Sequence, residues 1–349
     1  MVDGYNKFDT LTKYRDLKRE IKMKPYYQES IERLMNNFLI LEKPFMWEHN
    51  LLIHLVALSY TMSKKDVDVD QIKGMKKYIK TRSGAFSPYR GMMNFTVAGL
   101  LCAQYDNPED IFDQMYRRQP LLKEAGFKQS SYLCTASYAL EKTLTTNDQA
   151  VQRIDKAMDI YKDMKANHPF LTSGDDYALA ILLSTSDHEV DALESYYRAL
   201  SEVGFTKSNG LQTLSHILAF STINMRDMVD RCSYLFQVMK ENKLKVTTEY
   251  YPAIGLVALL DMDEKVLGDD FVEVATWLKS LKKYKWLGKG MNILLASGII
   301  SDYYIQSAKE NGLITTTLSV SIETIIAAQT AAMIASITAA TAAASSASS

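Results

Sequence analysis

The stretch Asn167-His168-Pro169-Phe170-Leu171-Thr172-Ser173-Gly174-Asp175-Asp176-Tyr177-Ala178-Leu179-Ala180-Ile181-Leu182-Leu183 joins two helices of different character. Upstream, Ile154, Met158, Tyr161 and Met164 recur at helical spacing, and Arg153, Asp155, Lys156, Asp159, Lys162 and Asp163 fill the other face, which makes an amphipathic helix. Pro169 lacks a backbone donor and biases His168 away from helical dihedrals, so this helix is expected to stop at about Asn167. Asp175 and Asp176 stand where carboxylates favour a helix start, because the unpaired N–H groups of the first turn carry partial positive charge. Tyr177 to Leu183 then runs without a charge. A helix apolar on every side must be covered on several sides, so it belongs to an inner layer.

The same junction recurs along the chain. Inner helices are expected to open at His49-Asn50, Arg90-Gly91, Ser130-Ser131, Asp175-Asp176, Asn209-Gly210, Thr248-Glu249 and Lys289-Gly290, about 40 residues apart, which suits two-helix repeats. Between them Ile31 to Leu41, Ile72 to Ile79, Ile111 to Leu122, Ile154 to Met164, Ala192 to Leu200, Val229 to Met239 and Phe271 to Leu281 space apolar residues among charges, as outer helices do. Asn107-Pro108-Glu109-Asp110 offers a capping side chain, a proline at the first helical position and acids in the first turn. Gly126 and Gly204, in Glu-Ala-Gly-Phe-Lys and Glu-Val-Gly-Phe-Thr-Lys, sit where a left-handed residue ends an outer helix. These phrases lie about 78 residues apart, which suggests a pairing of units at twice the basic spacing.

The expected fold is all-α: an α-solenoid or partly closed ring of about seven stacked helical hairpins over residues 25–312. Only 15 glycines and 7 prolines leave little room for sheet turns. Residues 1–24 form a helical lead-in whose Tyr5, Phe8, Leu11 and Tyr14 share one stripe. Residues 313–349 form an Ala/Ser/Thr-rich tail with Glu323 its one charge; a helix between Leu318 and Ile337 would dock on the protein, ahead of the alternative of membrane contact because no basic flank is present, and the last dozen residues have nothing large to bury.

The chain of 349 residues is 47% hydrophobic with a net charge of -1, so no overall basic field draws nucleic acid or anionic lipid. Cys102, Cys134 and Cys232 lie in apolar helical patterns without CxxC spacing and read as reduced core residues of a cytoplasmic protein. The first residues lack the apolar run of a signal peptide, and no segment before residue 312 is long and apolar enough to span a membrane.

The phrases Ser87-Pro88-Tyr89-Arg90-Gly91, Gly126-Phe127-Lys128 followed by Ser131-Tyr132-Leu133, and Asn167-His168-Pro169-Phe170-Leu171-Thr172 followed by Asp175-Asp176-Tyr177 resemble those of a Firmicutes family catalogued as a domain of unknown function. The resemblance covers about residues 25 to 310. It implies a bacterial cytosolic protein and carries over no activity.

Equivalent loops of stacked hairpins fall along one edge, so His49, Arg90, Ser131, Asp175, Asn209, Glu249 and Lys289 are expected to form a polar rim at the starts of the inner helices. The candidate ligand-binding residues there are Trp47, His49, Arg82, Ser87, Tyr89, Arg90, His168, Thr172, Asp175 and Asp176. Helix N-termini with Arg82 and Arg90 suit an anionic group, with Ser87 and Thr172 adding hydroxyls. Capping accounts for the same Ser, Thr and Asp residues without any ligand. No metal and no cofactor are expected: five histidines at 49, 54, 168, 188 and 216 show no ligand spacing, His49 and His54 do not make HExxH, and P-loops, nucleophile elbows and dinucleotide fingerprints are absent. His54 and His216 read as satisfied core histidines. Adjacent Asp175 and Asp176 point about 100° apart on a helix and do not form an acid/base pair by themselves.

The expectation is a non-enzymatic binding or scaffold protein presenting a groove or polar rim to a protein, peptide or small anionic ligand, with no nucleic acid and no stable membrane insertion. The alternative is an enzyme with a pocket at the N-terminal ends of the inner helices, acting on an anionic or sugar-like substrate.

Overall fold

The computed structural model describes residues 23–144, 149–185, 190–281 and 290–310. The tail over 313–349 and nearly all of the lead-in lie outside the described residues. The described residues form fourteen α-helices and two single-turn 3-10 helices, with no strand among them. Helices α1 (Pro25–Glu42) and α2 (Asn50–Met62) make the first hairpin, and α3 (Val69–Arg82) and α4 (Met92–Gln104) the second. The third is α5 (Pro108–Ala125) with α6 (Ser131–Thr143), and the fourth α7 (Gln149–Asn167) with α8 (Tyr177–Leu183). Then come α9 (Val190–Glu202) with α10 (Asn209–Leu218), α11 (Met225–Glu241) with α12 (Tyr251–Ala258), and α13 (Glu264–Ser280) with α14 (Met291–Glu310).

The even-numbered helices are the inner ones. Every residue of α8 and α12 is buried, as is Leu52 to Met62 of α2, which matches their uninterrupted apolar sequences. An odd-numbered helix buries a stripe: in α3 only Ile72, Met75 and Ile79 are covered, at the spacing of one helical face. Each inner helix packs on its own outer partner and on the next inner helix, and α14 packs back on α1 and α2. The circuit is therefore closed, which an open superhelix would not be.

The closing seam is polar at its centre. Asp270 of α13 is almost wholly buried, and its Oδ2 accepts from Tyr27 Oη of α1 at 2.6 Å, from Tyr304 Oη of α14 at 2.6 Å and from Lys24 Nζ at 2.6 Å. Tyr26 donates to Asp302 beside it. The Lys24 ammonium also lies 5.1 to 5.5 Å from the ring centres of Tyr27, Tyr303 and Tyr304, within cation–π range. Burial, then the Asp270 hydrogen bond, holds the Tyr27 phenol far above its ordinary range, so it stays a donor. Removing the carboxylate would take the shared acceptor from two buried hydroxyls and from the half-buried Lys24 ammonium, a loss of about 1–3 kcal/mol.

Outer helices start before the apolar spacing predicts: α1 at Pro25 rather than Ile31, and α3 at Val69 rather than Ile72. Their first turns are polar and carry no periodic signal. Asp68, Asn224 and Asp263 cap α3, α11 and α13 through their side chains, whereas Asn107 makes no side-chain cap and α5 starts on Pro108 alone. Gly126 and Gly204 do take left-handed backbone, with φ of 114° and 103°, at the ends of α5 and α9. Each is followed by a phenylalanine that meets a tyrosine of the next unit edge-on: Phe127 on Tyr177 at 4.8 Å and Phe205 on Tyr251 at 5.0 Å. Tyr177 and Tyr251 accept from the amides of Lys128 and Thr206, both at 3.2 Å. The doubled spacing is thus one contact made twice, joining hairpin three to four and five to six. Both receiving helices, α8 and α12, are preceded by a 3-10 turn, Gly174–Asp176 and Thr248–Tyr250.

Close approach of inner helices sets where glycine is needed. A Cβ on Gly99 of α4 would lie 2.5 Å from Val56 Cγ2 of α2, and one on Gly255 of α12 would lie 2.6 Å from Leu214 Cδ1 of α10. Valine is stiff at χ1 and cannot swing away. Gly99→Ala should therefore destabilise by about 1–3 kcal/mol despite alanine's better helix propensity. In a Val56→Ala background the same change should be neutral or stabilising, a coupling that denaturant unfolding of the four proteins measures.

Candidate functional site

The loops leading into the inner helices are laced together along one face. Gln129 Nε2 donates to the Phe86 carbonyl at 3.0 Å, joining the second and third junctions. The Lys128 amide reaches Tyr177 of the fourth, and Asn209 Nδ2 of the fifth reaches Asp175 of the fourth. A Cβ on Gly210 would lie 1.7 Å from the Thr248 carbonyl oxygen, and one on Gly290 2.2 Å from Tyr250 Cδ2, so the fifth, sixth and seventh junctions abut. Arg90, Ser131, Asp175, Asn209 and Glu249 accordingly share one border, and Lys289 lies outside the described residues.

Most of the polar candidates on this border are engaged within the protein. His49 caps α2, its Nδ1 accepting from the Leu51 amide at 3.4 Å, and burial lowers its pKa and keeps that nitrogen an acceptor. Arg82 donates twice to Asp113 of α5, at 3.0 and 2.6 Å, and Tyr78 donates to the same carboxylate at 3.1 Å. The Arg82 hydrogen bond pulls the Asp113 carboxyl below its ordinary range. Arg90 donates to the carbonyls of Lys80, Ser83 and Gly84 at 2.7, 2.9 and 3.3 Å, closing the C-terminal end of α3. Ser87 Oγ accepts from the Tyr89 amide at 3.3 Å, and the Tyr89 ring is fully buried against Phe112 and Tyr116.

In the fourth junction, Asp176 accepts from the Ser173 amide at 2.9 Å as half of a capping box and is buried. Burial first, then the neighbouring Asp175 charge, raises its carboxyl well above the ordinary range. Asp175 accepts from Ser173 Oγ and Asn209. Thr172 donates to the Met164 carbonyl at 3.0 Å and accepts from Gln212 Nε2 at 2.8 Å. His168 Nε2 lies 2.8 Å from Glu194 Oε2, with the ring 4.4 Å from that of Tyr197.

His168 also borders a small cavity of about 10 Å³ with Glu194, Ser215 and His216, room for roughly one water and far too little for a substrate. His216 is fully buried, as its apolar surroundings predict, yet its Nδ1 has no hydrogen-bond partner among the described residues. Burial, with a smaller push from His168, lowers its pKa to about 3. His54 is buried too, bonded to the Asn50 carbonyl at 2.8 Å and stacked on Phe38. Sequence reasoning passed over Glu194 and Gln212, because partners 26 and 40 residues away leave no local pattern. No group of three or more His, Cys, Asp or Glu among the described residues is arranged to hold a metal ion.

Three aromatic side chains of the same face stand in solvent. Trp47 is 91% exposed, Phe86 95% and Phe170 99%, with Met46 beside Trp47 also exposed. Each loop that carries one is braced by a cation. Lys76 pairs with Glu48 next to Trp47, Arg90 holds the Gly84 carbonyl near Phe86, and Lys165 Nζ donates to the carbonyls of Pro169 and Thr172 around Phe170.

A family described as protein of unknown function (DUF4003) matches residues 37–331. The uncharacterized protein YeaA of Bacillus subtilis (strain 168) is 28% identical over 321 residues, covering 87% of this chain and 92% of that protein. No solved structure matches.

The state of His216 has a measurable consequence. Its imidazole is neutral in the fold and titrates near 6.5 once unfolded, so the unfolded chain binds the extra proton as pH falls below 6.5. The contribution to stability is complete above that pH and is lost on acidification. Relative to wild type, His216→Leu should gain about 2 kcal/mol of unfolding free energy between pH 8 and pH 5. Denaturant titrations at the two pH values check the sign, which the raised carboxyl of Asp176 cannot supply because it acts in both proteins.

Proposed function

The chain belongs to the DUF4003 family of proteins of unknown function, and on that premise we propose that it is a non-enzymatic helical-repeat binding protein whose working face is the border where the inner helices begin. One observation carries the reading: Trp47, Phe86 and Phe170 project into water from loops that Lys76, Arg90 and Lys165 hold in place. A large apolar side chain on a braced loop is presented in one geometry before any partner arrives, which reduces the ordering cost of association. The engaged polar candidates support the same view. Arg82, Arg90, Thr172 and Asp176 serve best as parts that shape the loops, and Trp47 alone of the ten candidates stands fully open to a partner.

A cytoplasmic location fits three cysteines kept as buried free thiols. No helix among the described residues is long and apolar enough to cross a membrane.

A photo-crosslinking residue placed at Phe86 should give discrete adducts in living cells of the native host, and the same residue at Val151, exposed on the outer wall, should give none. Adducts at Val151 with none at Phe86 would move the working face to the wall and refute the proposal.

A further inference from the structure

We propose that the aromatic sector of this face docks on an anionic lipid surface by interfacial contact, without any spanning segment. The inference rests on the binding role of the rim and names its partner.

The arrangement of the three aromatics favours a lipid surface over a protein. Hot spots of protein interfaces cluster in a packed, desolvated centre. Here Trp47, Phe86 and Phe170 sit on the first, second and fourth junctions, and the third, with Lys128 and Gln129 exposed, comes between Phe86 and Phe170. Separate tips on loops of one border suit a soft partner into which each can enter alone. Tryptophan and other aromatic side chains are at home in the headgroup region of a bilayer, and cations beside them add attraction to anionic headgroups.

Charge points the same way. The junction loops of this sector carry Lys43, Arg90 and Lys128. Against them stand Glu48, which pairs with Lys76, Asp176, which is buried, and Asp175, which keeps its charge while Lys165 brings a cation to the carbonyls of the same loop. The opposite face carries exposed Asp66, Asp68, Asp70, Asp106, Glu109 and Asp110 at the starts of α3 and α5, an excess of acid even after Lys65 pairs with Asp106, Lys73 with Asp70 and Arg33 with Asp66. A molecule with acids on one face and cations around the aromatics on the other is turned by an anionic surface so that the aromatics arrive first.

Co-sedimentation of the full chain with vesicles tests this. Wild type should pellet with phosphatidylcholine vesicles containing phosphatidylglycerol, much less with phosphatidylcholine alone, and progressively less as salt rises. The triple variant W47A/F86A/F170A, which alters only exposed side chains, should lower the partition coefficient about tenfold or more with an unchanged circular dichroism melt. Lys43→Glu with Lys128→Glu should weaken binding to the anionic vesicles alone. Failure of wild type to pellet at low salt, or equal binding by the triple variant, would overturn the inference. If vesicles fail and crosslinks at Phe86 persist to a protein, the rim keeps its binding role and the lipid assignment falls; if both fail, so do both readings.

Discussion

Asp270 gathers three donors from chain segments that are far apart in sequence: Lys24 and Tyr27 near the start, and Tyr304 in the last described helix. A buried carboxylate of this kind is stable only when its hydrogen bonds are all made, so the seam is either complete or strongly unfavourable. Closing the circuit removes the two exposed ends that a stack of hairpins otherwise leaves. It also explains why Leu52 to Met62 of α2 and Met291 to Asp302 of α14, in helices that would be terminal in an open array, are buried.

Much of this architecture is legible in the residues. The uncharged runs from Tyr177 to Leu183 and Tyr251 to Ala258 announce inner helices, Pro169 ends α7 where expected, and Gly126 and Gly204 reveal the doubled spacing. Closure is not legible, because Lys24 and Asp270 are 246 residues apart and nothing near either names the other. The uneven charge was hidden for a different reason. Acids gather at the starts of outer helices and lysines toward the junctions at their ends, as helix dipoles favour, so a net charge of -1 sums two faces of opposite character.

The candidate site was legible in position and not in role. Arginine, threonine and aspartate at helix starts suggest an anion site, and the same residues are what a chain needs to turn sharply and begin a new helix. Arg90 illustrates the ambiguity: its guanidinium faces carbonyls of its own hairpin at 2.7 to 3.3 Å. Exposed Phe86 and Phe170 drew no notice in the sequence because a lone aromatic in a loop has no periodic context. Only the fold shows that they share a face with Trp47 and that the loops beneath them are held by hydrogen bonds from Gln129 and Lys165.

Stacking puts the junctions on one side, the closed circuit joins that side end to end, and spin labels at Glu29 of α1 and Gln306 of α14 report on the closure directly. Electron–electron resonance should give one narrow distribution at the short end of the measurable range, broadening when Asp270→Ala opens the seam. A long or broad distribution in the otherwise unaltered protein would mean that the first and last hairpins do not meet.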